Sequence, residues 1–296
     1  MTKPMKPRKT RALFRLTALG LVLFAGVLAP LCAAGKKDAP KDAITLISRE
    51  DGSGTRSAFI ELFGVLDQNK ADQTSPRAEI TNNTAVMLSS VAGDPNAIGY
   101  ISLGSLNSTV RAVKIDGVEA TVPHAADGSY SISRPFLIAV KEPVSPLAGD
   151  FINFILSREG QDTIAKNHYI RVADTGPFAG GGIAGKLVIA GSSSVSPAME
   201  KLKEAYLLFN PQADIAIQQS DSSAGLSSLI NGICGIAMAS RELKSAETNK
   251  GVQGRVIAMD GIAVIVHKNN PVSDMTKAQV RAVFTGEITR WQALGK

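Results

Sequence analysis

Cysteine is almost missing from this sequence. There are two in 296 residues, and one of them, Cys32, lies in an N-terminal leader-like stretch. The other, Cys234, sits in the apolar run ICGIAMA and reads as a buried core thiol, so a mature exported chain has no internal disulfide. Histidine is as scarce: His124, His168 and His267 are scattered, and none has metal-ligand spacing with another His, Cys or carboxylate. Nucleotide and nucleophile signatures are missing too. There is no GxxxxGK[ST] loop, no GxGxxG after a strand and no GxSxG elbow. No histidine is placed by motif to activate a serine, so a hydrolase has no positive support. Beyond the N-terminus no apolar stretch is long enough to span a membrane.

The N-terminus is different. Lys3, Lys6, Arg8, Lys9, Arg11 and Arg15 precede an apolar run from Leu16 to Leu31, and Ala33 and Ala34 follow. A basic region, an apolar region and a small-residue cleavage site make residues 1–34 a secretory signal, expected to be cut after Ala34. Lipidation at Cys32 ranks second, because Leu31 fits poorly just before a lipidated cysteine; an uncleaved anchor is the remaining alternative. The mature protein is therefore expected to be extracytoplasmic or periplasmic. The leader also explains the charge. The whole chain has 32 basic and 26 acidic residues, and removing the six basic residues of the leader leaves 26 of each. A formally neutral mature chain offers no argument for nucleic acid, which needs a basic face.

The rest alternates strand and helix, which argues for α/β architecture with mainly parallel sheet. The polar stretch 35–43 leads into a buried strand at 44–48. Helices are expected at 55–66 and 84–92, a strand at 97–103, and β segments at 110–115 and 129–140. One long amphipathic helix is expected over 146–166. The glycine-rich stretch ADTGPFAGGGIAGK, residues 173–186, reads as a flexible linker. A fresh α/β unit follows, with strands at 186–190, 214–218, 234–239 and 261–267 and helices at 197–209, 223–231 and 276–284.

Three junctions share one design. REDGSGT (49–55), GSSSVSP (191–197) and DSSAG (221–225) place small hydroxyl residues and glycine where a helix begins. The first turn of a helix has free N–H groups and partial positive charge. Glycine lets backbone approach a ligand, and hydroxyls add donors that can also accept. Such a corner suits an anion, and Arg49 adds a planar cation matched to a tetrahedral oxyanion. An ordinary N-cap explains any one of these turns alone. Three together, one beside an arginine, shift the balance toward a shared oxyanion site.

These segments resemble a family. SREDGSGTRSAF, GDPNAIGYISLG, LSREGQ, GSSSVSPAMEKL, DSSAG, MASREL, DGIAVIVHKNNPV and FTGEITRWQALG are similar to the phosphate-binding protein of the high-affinity phosphate ABC transporter. The resemblance covers almost all of 43–296, but the order is changed. Family members begin with the segment like GSSSVSP and end near LSREGQ; here that second half comes first, at 43–172, and the first half follows at 186–296. The chain reads as a circular permutant, with a fragment of a tandem array or a half-exchanged dimer as alternatives.

The resemblance implies a two-lobed periplasmic-binding-protein fold, type II-like, closing on inorganic phosphate in an interlobe cleft. It places phosphate contacts on Arg49, Ser53, Gly54, Thr55, Ser193, Ser194, Ser222 and Ser240, with no cofactor. Ser240 stands where some members carry an aspartate that accepts the proton phosphate still holds near neutral pH, and so excludes sulfate. Asp51 is a candidate to orient Arg49, with a solvent-facing turn residue as the equal alternative. Arg56 and Arg241 are expected to be salt-bridged or solvated. One lobe is expected to combine 43–105 with 268–296, and the other to span 106–267. The implied partners are ABC permease subunits, with the binding protein itself a monomer. The alternatives are a phosphate sensor or scavenger without transport, a phosphate-ester hydrolase, or a surface protein whose cleft has decayed.

Overall fold

The structure, a computed structural model, describes residues 42–172 and 174–295. The leader, with its cleavage site and Cys32, lies outside the described residues. The chain opens with β1 (Thr45–Arg49), α1 (Gly54–Phe63), β2 (Glu79–Thr81), α2 (Thr84–Gly93) and β3 (Ala97–Ser102). Next come β4 (Val110–Ala112), β5 (Lys114–Ile115), α3 (Val122–Ala126), β6 (Ser133–Lys141), α4 (Pro146–Leu156) and α5 (Arg158–Lys166). The second half holds β7 (Gly185–Ser192), α6 (Ser196–Leu207), β8 (Ala213–Ser220), α7 (Ser222–Ile230) and β9 (Ile236–Ala239). It closes with α8 (Ser245–Thr248), β10 (Val252–His267), β11 (Asp274–Met275) and α9 (Lys277–Thr285).

One curled sheet runs β2-β1-β3-β10-β6-β9-β7-β8, with β4 also on β10. β1 pairs in parallel with β2 and β3, and β7 pairs in parallel with β8 and β9. The inner strands β1, β3, β7 and β9 carry apolar runs buried on both faces by flanking helices, whereas the edge strands β2 and β8 are largely exposed. The two parallel halves are joined by antiparallel pairing of β10 with β3 and with β6, and of β6 with β9.

Core packing divides the molecule into two lobes. The first core gathers buried residues from Leu46 to Ile132 and from Ile262 to Leu294. At its centre Phe59 stacks on Tyr100 with ring centroids 3.9 Å apart, and Phe284 packs against both. The second lobe holds Phe136 to Ala258, with a smaller cluster around Leu226, Leu229 and Cys234 beside it. Burial there pushes the Cys234 thiol up to about 11. The lobes thus meet at the start of β6 and inside β10, not at residues 105 and 267 where the sequence placed the boundary. The reason is packing: Val110, Val113, Ile115 and Tyr130 bury into the first core, β4 pairs with the far end of β10, and β5 pairs with β11.

Other departures have local causes. The expected helix over 146–166 is two helices. Ser157, at φ −70° and ψ 171°, ends α4 and caps α5, its hydroxyl accepting from Gly160 N–H at 3.3 Å. A serine that bonds the next turn competes with helix continuation. β10 is much longer than the expected strand at 261–267, because β6 holds its polar first half extended through a bulge near Val256. The stretch expected to be a flexible linker is anchored at several points, although most of its described residues are exposed. Thr175 N–H donates to Leu156 O, Phe178 N–H donates to Glu159 Oε2 at 2.8 Å, and the Phe178 ring meets Phe154 edge-on at 5.3 Å. Finally, residues 42–44 and 289–291 lie side by side. Ile44 N–H donates to Thr289 O at 2.9 Å, Trp291 N–H donates to Asp42 O at 2.9 Å, and Arg290 pairs with Asp42 at 2.8 Å.

At the crossing of the lobes β6 and β10 place Arg134 opposite Asp260. Their side chains are 2% and 1% exposed, with Nη2 3.4 Å from Oδ2. Burial pushes Asp260 up to about 6, against the opposing pull of Arg134, Ser102 and Gly104, and lowers Arg134 to about 10. Desolvation outweighs the attraction between two charges at this separation.

Two stability outcomes follow. α7 sits so close to β7 that a Cβ on Gly225 would lie 2.4 Å from Gly191 Cα and 2.7 Å from Ala190 O. Gly225→Ala is expected to cost about 1–3 kcal/mol through overpacking; an unchanged urea midpoint would refute that contact. A carboxyl with a raised folded-state pKa contributes stability that is whole below its unfolded value and lost as pH rises through the folded one. The stability of the wild type relative to Asp260→Asn is therefore expected to fall between pH 4 and 6 and then level off, in denaturation curves taken across that range.

Candidate functional site

Four helices begin at one place. β1 ends in Arg49, and the turn after it delivers Ser53, whose hydroxyl caps α1 by accepting from Arg56 N–H at 3.2 Å. β2 leads to Asn83, which caps α2 and leaves Thr84 in its first turn. β7 runs through Ser192 into Ser193 and Ser194 ahead of α6. β8 leads to Asp221, which caps α7 by accepting from Ala224 N–H at 2.9 Å, so Ser222 is the first helical residue. β9 ends beside Ser240. Ser53, Asn83 and Asp221 are residues that favour caps over helix interiors, while α6 starts after Val195 without a side-chain cap. Their convergence directs free N–H groups and positive helix ends at one point.

The hydroxyls touch one another across the lobes. Thr55 Oγ1 of the first lobe lies 2.7 Å from Ser194 Oγ of the second. Thr84 Oγ1 lies 3.3 Å from Ser193 Oγ and 3.4 Å from Ser194 Oγ. Ser192 Oγ donates to Ser240 Oγ at 3.0 Å, and Ser240 N–H donates to Ser222 Oγ at 3.1 Å. Gly54 makes the close approach possible, since a Cβ there would lie 2.4 Å from Ser222 Oγ and 2.6 Å from Ser240 Oγ. A second interlobe contact stands beside it, with Ser223 N–H donating to Gly52 O at 3.2 Å.

The cation at the centre is Arg49, only 2% exposed. Its Nε and Nη2 donate to the two carboxylate oxygens of Glu50 at 2.7 and 2.6 Å, and Nη2 also donates to Ser193 Oγ at 3.1 Å. Nη1 is buried with no hydrogen-bond partner. Glu50 thus takes one edge of the guanidinium and leaves the end of the fork directed elsewhere. Beneath it, Arg49 N–H donates to Tyr100 Oη, which is also within 2.8 Å of Ser48 Oγ. Burial pushes that phenol up to about 12.

Of the eight residues singled out from sequence, Arg49, Gly54, Thr55, Ser193, Ser194, Ser222 and Ser240 share this cluster. Ser53 is buried at the same helix start, with its hydroxyl engaged as the cap. The partner of Arg49 is Glu50, not Asp51. Asp51 is 97% exposed and pairs with Arg56, which also holds Asp72 and donates to Arg49 O. Arg241 is bound to Glu247 at 2.7 Å. Thr84 and Ser192 were missed. Asn83-Thr84 opens a helix after a strand, the same signal as the other three junctions, but it carries no glycine. Glu50 was signalled only by adjacency to Arg49.

Chemically the cluster offers one buried guanidinium, a ring of hydroxyls and several helix N-termini. That set suits a small tetrahedral oxyanion. The histidine contacts run elsewhere, His124 Nδ1 to Glu119 O and His267 Nδ1 to Asn269 N. Among the described residues no group of three or more His, Cys, Asp or Glu could hold a metal ion.

Comparison with known proteins places this geometry. The PBP superfamily domain matches residues 32–159 and 176–296. A Streptococcus agalactiae protein named phosphate-binding protein PstS 2 is 50% identical over 298 residues, 99% of this chain and all of that one. Its Streptococcus pneumoniae namesake is 41% identical over 290 residues, 97% of this chain and 99% of that one. A crystal structure of a phosphate-binding protein of a phosphate ABC transporter from Streptococcus pneumoniae shares 43% identity. It covers 85% of this chain and 99% of that chain with a TM-score of 0.67. With two lobes, a cleft walled by helix N-termini and full-length relatives of this kind, the chain belongs to the PBP superfamily, in the family of these phosphate-binding proteins.

Proposed function

We propose that this chain captures inorganic phosphate between its lobes outside the cytoplasm and delivers it to an ABC permease. The observation that carries the reading is the partnerless Nη1 of a buried arginine amid hydroxyls from both lobes. A buried donor without a partner is costly, and an anion that accepts from it relieves the cost. Arg49 supplies the charge, and Ser53, Gly54, Thr55, Thr84, Ser193, Ser194, Ser222 and Ser240 supply hydroxyl and backbone donors. Binding draws the lobes together because neither half of the donor set is complete alone. No covalent step is needed, and this argues against the phosphate-ester hydrolase.

Within the same reading the two halves are circularly permuted. The pairing of 42–44 with 289–291 supports this, since it joins the segments that are continuous in the usual family order. The anchored stretch 174–184 then bridges the usual C-terminus to the usual N-terminus. The chain is expected to act as an exported monomer. Ser240 in place of an aspartate removes a full charge that would repel a fully ionised oxyanion, so selection against sulfate rests on weaker terms.

Calorimetric titration of residues 35–296, stripped of ligand, is expected to show one-to-one phosphate binding by a monomer. A folded monomer that binds no phosphate would sink the reading. Arg49→Met is expected to weaken binding at least 100-fold, and Thr55→Ala by roughly 10-fold, as for a hydrogen bond to a charged group. Gly54→Ala keeps every donor side chain but places a methyl against Ser222 and Ser240. It is expected to weaken phosphate binding and to abolish ligand-induced compaction in small-angle scattering. Full compaction in that variant would show that the lobes do not close at Gly54.

A further inference from the structure

Arg134 takes no part in the hydroxyl cluster, yet it is built into the floor beneath it. β6 and β10 are the two strands that cross between the cores, and Arg134 and Asp260 are opposed at that crossing. Arg134 Nη1 donates to the main-chain carbonyl of Ser240 at 3.1 Å, on the second-lobe side. Asp260 faces the first lobe, with Oδ1 accepting from Ser102 Oγ at 3.0 Å and from Gly104 N–H at 3.3 Å. A continuous chain of bonds therefore runs from the first lobe, through the carboxylate and the guanidinium, to the carbonyl of a candidate phosphate contact.

The electrostatics point the same way. The guanidinium lies over the Phe136 ring at 5.4 Å, and its Nε has no hydrogen-bond partner. Its ion pair with Asp260 is long, at 3.4 Å. The positive charge of Arg49 works against that of Arg134, so two buried cations feel each other at the base of the cleft. That repulsion is smaller than the effects of burial and of Asp260, and an anion seated beside Arg49 offsets it. Asp260 is the counter-charge of Arg134 beneath the cluster.

Resting on the phosphate reading above, we propose that Arg134 is a positioning residue of the anion site. It holds the Ser240 main chain across the hinge and adds a second buried positive charge, and Asp260 tempers that charge. The two residues then have opposite effects on affinity. Removing the cation weakens anion binding. Removing only its carboxylate leaves the cation less compensated, and anion binding tightens although the ligand-free protein is less stable.

The test is calorimetric titration with inorganic phosphate at pH 8 on the wild type, Arg134→Met, Arg134→Lys and Asp260→Asn, with thermal melting with and without phosphate. The expected result is about 10-fold weaker binding for Arg134→Met, partial recovery in Arg134→Lys, and several-fold tighter binding for Asp260→Asn. Phosphate should also raise the melting temperature of Asp260→Asn by more than that of the wild type. Wild-type binding with both substitutions shifting affinity in the same direction, or neither shifting it, overturns the proposal and leaves the phosphate reading intact. Absence of wild-type binding overturns both. Should Arg134→Met not fold, the opposed signs are read from Arg134→Lys and Asp260→Asn.

Discussion

A guanidinium almost wholly removed from water is the constraint around which this protein is organised. Arg49 leaves the end of β1 into a space where its charge has to be matched. Glu50 matches one edge, Ser193 from the other lobe takes one donor, and one nitrogen is left over. Burying a charge is tolerable only when it is paired and hydrogen-bonded. The hydroxyls and helix ends around it form the rest of that environment, and they come from both lobes.

That requirement explains the architecture of the crossing. Two lobes with separate cores are joined where β6 begins and along β10, a strand long enough to belong to both. A sheet continuous across the boundary keeps the helix N-termini aimed at a common point, while small residues let the lobes touch. Gly52 and Gly54 stand where any side chain would strike Asp221, Ser222 or Ser240. The buried Arg134–Asp260 pair sits at the same crossing, at a separation where desolvation competes with attraction. The place where the lobes join therefore carries a buried pair of opposite charges.

Much of the site was legible because its signals are local. A strand ending in small hydroxyl residues and starting a helix is visible in REDGSGT, GSSSVSP and DSSAG, since capping and turn chemistry act over a few residues. The junction at Asn83-Thr84 carries a weaker local signal because its turn has no glycine. Local sequence does not distinguish Glu50 from Asp51 as the partner of Arg49, and backbone direction at the end of β1 decides between them: one carboxylate turns inward to Arg49, the other outward to Arg56. Arg134 and Asp260 carry no local signal. They matter only because strand register brings them together across more than a hundred residues.

The sequence by itself determined the alternation of strand and helix, the caps, the hydroxyl-rich junctions and the family resemblance. All of these depend on spacing within a few residues or on motifs that survive a change of order. Tertiary structure decided where the lobes divide, that residues 174–184 pack against α4 and α5, that β10 runs through both lobes, and that four helix starts meet beside one arginine. Those outcomes depend on pairing and burial between segments far apart in the chain. A residue's local propensity does not reveal which distant surface will cover it or which charge will stand opposite.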